Sequence, residues 1–237
     1  MKMAVAGGTG WVGKLVVQEA RGHGHEVVVM SRSAGVDLMT GAGLDDALRG
    51  VDVVIDVANV STLSRKASVA FFETETRNLL AAEERAGVGH HVVLSIVGVD
   101  RVDSGYYFGK RRQEELALAG PIPVTLLRAT QFHEFAAQML DKVPGPVKVA
   151  PLMKSRPVAA SEVAAELVRL AEGPAQGRTT ELAGPEELTM ASMMRRLAKG
   201  KLVLTMPVGK AMANGGVLPT GDFHRGRITF EQWAKSR

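Results

Sequence analysis

The stretch Met3-Ala4-Val5-Ala6-Gly7-Gly8-Thr9-Gly10-Trp11-Val12-Gly13 decides the fold. It passes from an apolar, strand-like run into a glycine-rich turn and then into a helical pattern over residues 11–21. Gly7 and Gly10 let the backbone turn tightly and come close to a phosphate, while Gly13 lets helix and strand pack closely. The N–H groups of the first helical turn supply positive partial charge at the same place. A second strand-like run, Glu26-Val27-Val28-Val29-Met30, follows the helix, so the glycines sit in a strand–helix–strand unit. A dinucleotide pyrophosphate is therefore expected over Gly7, Thr9, Gly10, Trp11, Val12 and Gly13.

The alternation continues outward from this unit. Strands are expected at 2–6, 26–31, 36–38 (short), 53–57, 91–96 and 124–127, and helices at 11–21, 44–49, 68–86 and 107–119. The Val/Ile-rich runs are continuous, as in strands covered on both faces. The pattern predicts an α/β fold, a doubly wound and mostly parallel sheet with right-handed crossovers. Beyond Arg128 the regularity weakens. A helix over 131–140 is interrupted by Pro144, Gly145, Pro146 and Pro151, and Ser161 is expected to cap a helix running to Glu172. A strand-like Thr180-Glu181-Leu182, a helix over 187–197 and a docked tail over 228–233 complete the chain. The expected division is a dinucleotide-binding core at 1–130 and a substrate-side cap at 131–237 that completes the sheet, both within one compact domain.

The composition narrows the function classes. The chain has 237 residues, 46% hydrophobic and 23% charged, which suits a folded domain of enzyme size. The apolar runs are too short to cross a bilayer, and the start reads as a strand, not a signal peptide; no membrane association and a cytoplasmic location are expected. With no Cys, disulfides, thiolate catalysis and Cys-ligated metals are excluded. The net charge of +4 is scattered, and no basic block is interleaved with aromatics, which argues against nucleic-acid binding and suits an anionic cofactor. His23 and His25, and likewise His90 and His91, have no carboxylate set at ligand spacing, so no metal site is expected.

The second strand ends in Ser31-Arg32-Ser33, where an acidic residue would hold an adenosine ribose. Arg32 can pair bidentately with a ribose phosphate, and Ser31 and Ser33 add hydroxyl donors. NADP(H) is preferred over NAD(H) on this ground. Asp37 either touches the adenine or caps a turn, and Asn59 and Ser61 follow the strand at 53–57, near the cofactor ribose. Tyr106 and Lys110, four apart, share a helical face. There the ammonium would lower the phenol pKa and bind a ribose hydroxyl, Tyr106 would protonate a carbonyl receiving hydride, and Ser95 would steady the oxyanion. Tyr107, three residues before Lys110, competes for the role; alternatively both rings cover apolar surface and Lys110 is solvated. On the substrate side, Phe132 and Phe135 would wall an apolar or aromatic small molecule, with Gln131 or His133 orienting its polar atom; otherwise His133 lies on the surface.

The chain resembles the atypical short-chain dehydrogenase/reductases, especially their NmrA-like NAD(P)-binding branch. The resemblance spans essentially the whole chain. It rests on the glycine turn, on Thr76-Arg77-Asn78-Leu79-Leu80-Ala81-Ala82, on Ser95, on Tyr106 through Lys110, and on Leu127-Arg128-Ala129-Thr130-Gln131-Phe132. It implies a Rossmann-like sheet with a small C-terminal substrate region. By the same resemblance Gly7, Gly10 and Gly13 turn around phosphate, Arg32 reads a phosphate, and Ser95, Tyr106 and Lys110 occupy the reductase positions. Phe71-Phe72 replaces an asparagine common in the family, which breaks the four-residue proton relay. The expected function is NADPH-dependent hydride transfer to a carbonyl, quinone or related conjugated aromatic substrate. The alternatives are a noncatalytic NAD(P)H-sensing regulator and a polyketide-tailoring oxidoreductase, and a homodimer is compatible with either.

Overall fold

In the computed structural model, which describes residues 1–142 and 144–237, strand β1 (Lys2–Ala6) lies inside the sheet. Met3 through Ala6 have no exposed surface, because strands pair on both sides and helices cover both faces. Helix α1 (Trp11–Gly22) leads to β2 (Glu26–Met30), α2 (Leu44–Ala47) to β3 (Val53–Asp56), α3 (Arg65–Ala86) to β4 (His90–Ile96), and α4 (Gly105–Ala119) to β5 (Val124–Ala129). β1 pairs in parallel with β2 (Met3 opposite Val27) and with β3 (Met3 opposite Val53), and β3 pairs in parallel with β4.

The short strand expected at 36–38 is absent. Asp37 Oδ1 accepts the Met39 N–H at 2.8 Å, and Asn78 Nδ2 donates to the carbonyls of Leu38 and Met39 at 2.9 and 3.0 Å. These bonds hold the segment as a turn while Val36 sinks into the core beside Met30 and Leu44. The sheet therefore stops at β2. Helix α3 starts three residues earlier than expected, because Ser64 caps it by accepting the Ala67 N–H at 3.3 Å.

The remaining elements are α5 (His133–Lys142), β6 (Val147–Pro151), β7 (Lys154–Ser155), α6 (Ala160–Glu172), β8 (Gly177–Arg178), β9 (Glu181–Ala183), β10 (Leu188–Thr189), α7 (Met190–Leu197), β11 (Leu202–Met206), α8 (Lys210–Ala213), β12 (Phe223–Arg225) and α9 (Phe230–Lys235). Helix α5 starts at 133, not 131, because the Gln131 carbonyl accepts the Val158 N–H and Phe132 bridges to Val158. Ser161 lies inside the first turn of α6 and does not cap it; the Glu134 carboxylate accepts the Ala160 N–H at 3.4 Å instead. Helix α7 begins at 190, since Leu188 and Thr189 pair with β7 and Thr189 then caps the helix. The tail forms α9 behind a capping box at Thr229, with Phe230 fully buried.

Chain contacts divide the molecule into two units. The first comprises Met1–Ser95, Ser104–Leu127 and Ala164–Thr179, and the second Ile96–Asp103, Arg128–Val163 and Thr180–Arg237. The mostly parallel main sheet has the order β12-β9-β5-β4-β3-β1-β2, with β8 also pairing β5. In the second unit β9 pairs with β12 and meets Ala129 through Leu182, while β6–β11 and β7–β10 form two small ladders. No helix among the described residues is long and apolar enough to cross a membrane.

Candidate functional site

The turn after β1 is shaped by contacts that only glycine allows. Gly7 adopts φ +75°, and its N–H donates to the Met30 carbonyl at 3.0 Å, which ties the turn to the end of β2. A Cβ at Gly7 would lie 2.9 Å from Ala58 Cα, and one at Gly13 would lie 2.2 Å from the Gly7 carbonyl oxygen. The backbone therefore closes on itself with no space for a side chain. Helix α1 starts from Gly10 with no side-chain cap and no acidic residue in its first turn, so the positive end of its dipole is uncompensated. Thr9 and Trp11 are exposed beside it, and Val12 is half-buried. This donor set fits a diphosphate.

At the end of β2, residues 32–34 form one 3-10 turn, with Ser31 Oγ and Ser33 Oγ 3.1 Å apart. Arg32 is exposed, and its guanidinium has no hydrogen bond or ion pair among the described residues. One Asp37 carboxylate oxygen is taken by the Met39 amide, the turn-capping alternative. Asn59 and Ser61 are exposed in the loop after β3.

The corner between β4 and α4 is built differently. Helix α4 lies tight against α3, because Gly109 leaves no room for a Cβ beside Ser68 and Phe72. The Ser68 hydroxyl donates to the Tyr106 carbonyl at 3.1 Å. The Tyr106 ring stands edge-on to Phe72 and to Tyr107, with centroids 5.8 and 6.1 Å apart, and Tyr107 is buried. Lys110 is 4% exposed, and its Nζ donates to the Leu94 carbonyl at 2.7 Å and to Gln113 Oε1 at 2.6 Å. The same ammonium sits 4.6 Å from the Phe72 ring centroid. Gln113 Nε2 in turn donates to Asp56 Oδ2 at 2.7 Å and to Glu75 Oε1 at 2.8 Å. The Ser95 hydroxyl donates to Glu114 Oε1 at 2.5 Å.

These partners set the titration behaviour. Burial pushes the Tyr106 phenol well above its usual range, and the neighbouring Tyr107 adds to the rise. The expected lowering by Lys110 is thus not found; the ammonium is turned toward Leu94 and Gln113, and Phe72 packs against both residues. Burial lowers Lys110, opposed by the charges of Asp56, Glu75 and Glu114. Glu75 is held well above the carboxylate range by burial and then by Asp56. Lys110 is therefore not solvated. It anchors a buried polar network that spacing alone did not reveal. The available signals were Asp56 ending an apolar strand and Gln113 and Glu114 one turn beyond Lys110.

In the second unit, Gln131 is buried, Phe132 half-buried and Phe135 exposed. His133 is not a surface residue. It is 1% exposed, with Nε2 3.0 Å from the Ile228 carbonyl and its ring packed against Phe230 and Trp233. Its place at the start of α5 turns it inward onto the tail, where burial lowers its pKa.

A family model described as NAD(P)H-binding matches residues 7–174. Among curated relatives, the (4-alkanoyl-5-oxo-2,5-dihydrofuran-3-yl)methyl phosphate reductase of Streptomyces griseus is 28% identical over 213 aligned residues, covering 82% of this chain and 72% of the relative. Among solved structures, a short-chain dehydrogenase/reductase superfamily protein from Agrobacterium tumefaciens with bound NAD superposes with a TM-score of 0.74 at 19% identity, covering 100% of this chain and 95% of that one. An NADPH-dependent quinone oxidoreductase from Escherichia coli, complexed with NADPH, gives a TM-score of 0.67 at 23% identity, with 88% and 79% covered.

Proposed function

The chain belongs to the NAD(P)H-binding family, and we propose that it is an NADPH-dependent oxidoreductase acting on a carbonyl, quinone or related conjugated ring. The observation that carries this reading is the turn at 7–13, where Gly7 and Gly13 leave no room for a Cβ under an uncompensated helix end. The cofactor, when bound, supplies hydride from its nicotinamide. Gly7, Gly10 and Gly13, with Thr9, Trp11 and Val12, hold the diphosphate. Arg32, between the hydroxyls of Ser31 and Ser33, binds the extra ribose phosphate of NADPH, and its lack of an internal partner supports that preference over NADH. Asn59 offers its amide to a ribose hydroxyl.

Tyr106 keeps its proton throughout the neutral range, because burial raises the phenol, so it donates to an oxyanion more basic than its own phenolate, such as an alkoxide. Ser95 steadies the same oxygen when its hydroxyl turns away from Glu114. Lys110 positions Gln113, and through it Asp56 and Glu75; with two of its three N–H groups given to Leu94 and Gln113, the third is left for a ribose hydroxyl. For the substrate we assign Phe132 and Phe135 as apolar walls and Gln131 as the polar contact. The reductase and quinone oxidoreductase named among the similar proteins support an electron-poor conjugated substrate.

A second reading, a noncatalytic NAD(P)H sensor, is favoured by one observation: Ser95 and Lys110 have polar partners inside the protein. NADPH oxidation across quinones, flavins, conjugated furanones and aromatic ketones, alongside direct NADPH binding, separates the two. Turnover on any of these supports the oxidoreductase; saturable binding without turnover supports the sensor.

A further inference from the structure

His23 and His25 have no carboxylate at ligand spacing in the sequence, yet the fold brings Glu172 to both. Glu172 Oε1 lies 2.8 Å from His23 Nδ1 and 2.8 Å from His25 Nε2. Gly24 between the histidines takes φ +82° with nothing near its Cβ position, a left-handed step in the bend from α1 to β2. The ligand-capable atoms of the three side chains all lie within 4.8 Å of one another. All three belong to the first unit, at the beginning of β2 and the last residue of α6.

Two further features bring positive charge to this point. His23 is the C-cap of α1 and Glu172 is the last residue of α6, so the negative ends of two helix dipoles converge where a carboxylate already sits. On the far side of His23, Nε2 is 3.4 Å from Glu19 Oε1, one helical turn back. A histidine that binds a metal through one nitrogen characteristically offers its other N–H to such a carboxylate, which fixes tautomer and ring orientation.

We propose that His23, His25 and Glu172 form a site for a zinc-class divalent cation, with Glu19 as the outer partner of His23 and water completing the coordination. Two imidazoles and one carboxylate suit Zn²⁺, Co²⁺ or Ni²⁺ and not Mg²⁺ or Ca²⁺. Metal–ligand distances of about 2.0–2.2 Å require ligand atoms roughly 3.3 Å apart. The two 2.8 Å contacts of Glu172 therefore open by about 0.5 Å, and the ring nitrogens, within 4.8 Å of each other, adjust to the same spacing by side-chain rotation. Glycine 7 lies at the carboxyl end of β1, whereas this site lies at the amino end of β2, so the ion acts as a clasp between α6 and the α1–β2 bend and takes no part in hydride transfer.

The test is calorimetric titration of Zn²⁺ into the metal-stripped full chain, with thermal unfolding followed in parallel. The proposal expects one equivalent bound in the micromolar range or tighter, and a Tm rise of about 5 °C at saturation. Binding should weaken at least about tenfold in His25→Ala and in Glu172→Gln and stay unchanged in His224→Ala. Glu172→Gln keeps a hydrogen-bond acceptor for the rings, so its metal-free Tm separates loss of the ion from loss of structure. Absence of saturable binding, or equal binding in wild type, His25→Ala and Glu172→Gln, would overturn the site.

Discussion

At the turn between β1 and α1 the polar groups face outward: the helix end carries no side-chain cap, and the Arg32 guanidinium, two residues past the Met30 that accepts the Gly7 N–H, has no internal partner. At the corner between β4 and α4 they face one another, with Ser95 on Glu114 and Lys110 on Leu94 and Gln113. An anion site can be made from backbone geometry, so glycine spacing records it. A proton-transfer site depends on which distant side chains claim each hydroxyl and amine, and spacing does not record that. The two places therefore differ in how readily they act on a ligand, which mutation can probe directly.

The largest expected effect is at the corner. Tyr106→Phe removes the proton donor and keeps the ring that packs on Phe72 and Tyr107, so kcat should fall by about 10²–10⁴ with NADPH binding unchanged. Steady-state kinetics on a turned-over quinone or ketone checks this, and an unaltered kcat would reduce Tyr106 to packing. Next is the turn itself. Gly13→Ala drives a methyl against the Gly7 carbonyl and should cost about 1–3 kcal/mol in urea unfolding. A fully stable variant would mean that the helix–strand approach is looser than described.

Arg32→Ala sharpens the contrast between groups that face out and groups that face in. Loss of a charge-assisted pair of about 1.5–3 kcal/mol should weaken NADPH by roughly 10- to 100-fold and leave NADH nearly untouched. Equal losses for both cofactors would remove the phosphate role. The smallest effect concerns His133, another polar group turned inward. Its pKa is lowered by burial, so its contribution to stability is present above the ordinary value of 6.5 and is lost as pH falls below it toward the folded-state value. His133→Gln cannot titrate there, so the wild-type advantage in unfolding experiments should shrink below pH 6.5; a constant difference across that range would contradict the burial.

The same division explains what the sequence disclosed. The five core strands and the helices between them follow from apolar runs and periodicity, which are local. The strand expected at 36–38 failed because Asn78, some forty residues on, holds the backbone carbonyls of Leu38 and Met39 as a turn. The surface alternative for His133 failed for a similar reason, since Phe230 and Trp233 cover it from the end of the chain. Asp56, Glu75, Gln113 and Glu114 escaped notice because their partners are assembled from β3, α3, β4 and α4 together. Glu172 reached His23 and His25 by the same long-range route.

The central claim is that a dinucleotide lies on the turn at 7–13, and Trp11, 42% exposed within it, provides the reporter. The decisive measurement is energy transfer from tryptophan to NADPH, titrated in wild type and in Gly13→Ala. The account predicts a saturable, one-to-one signal in wild type that is lost in the variant. A wild type with no saturable signal, or a variant that binds NADPH equally well, would contradict it.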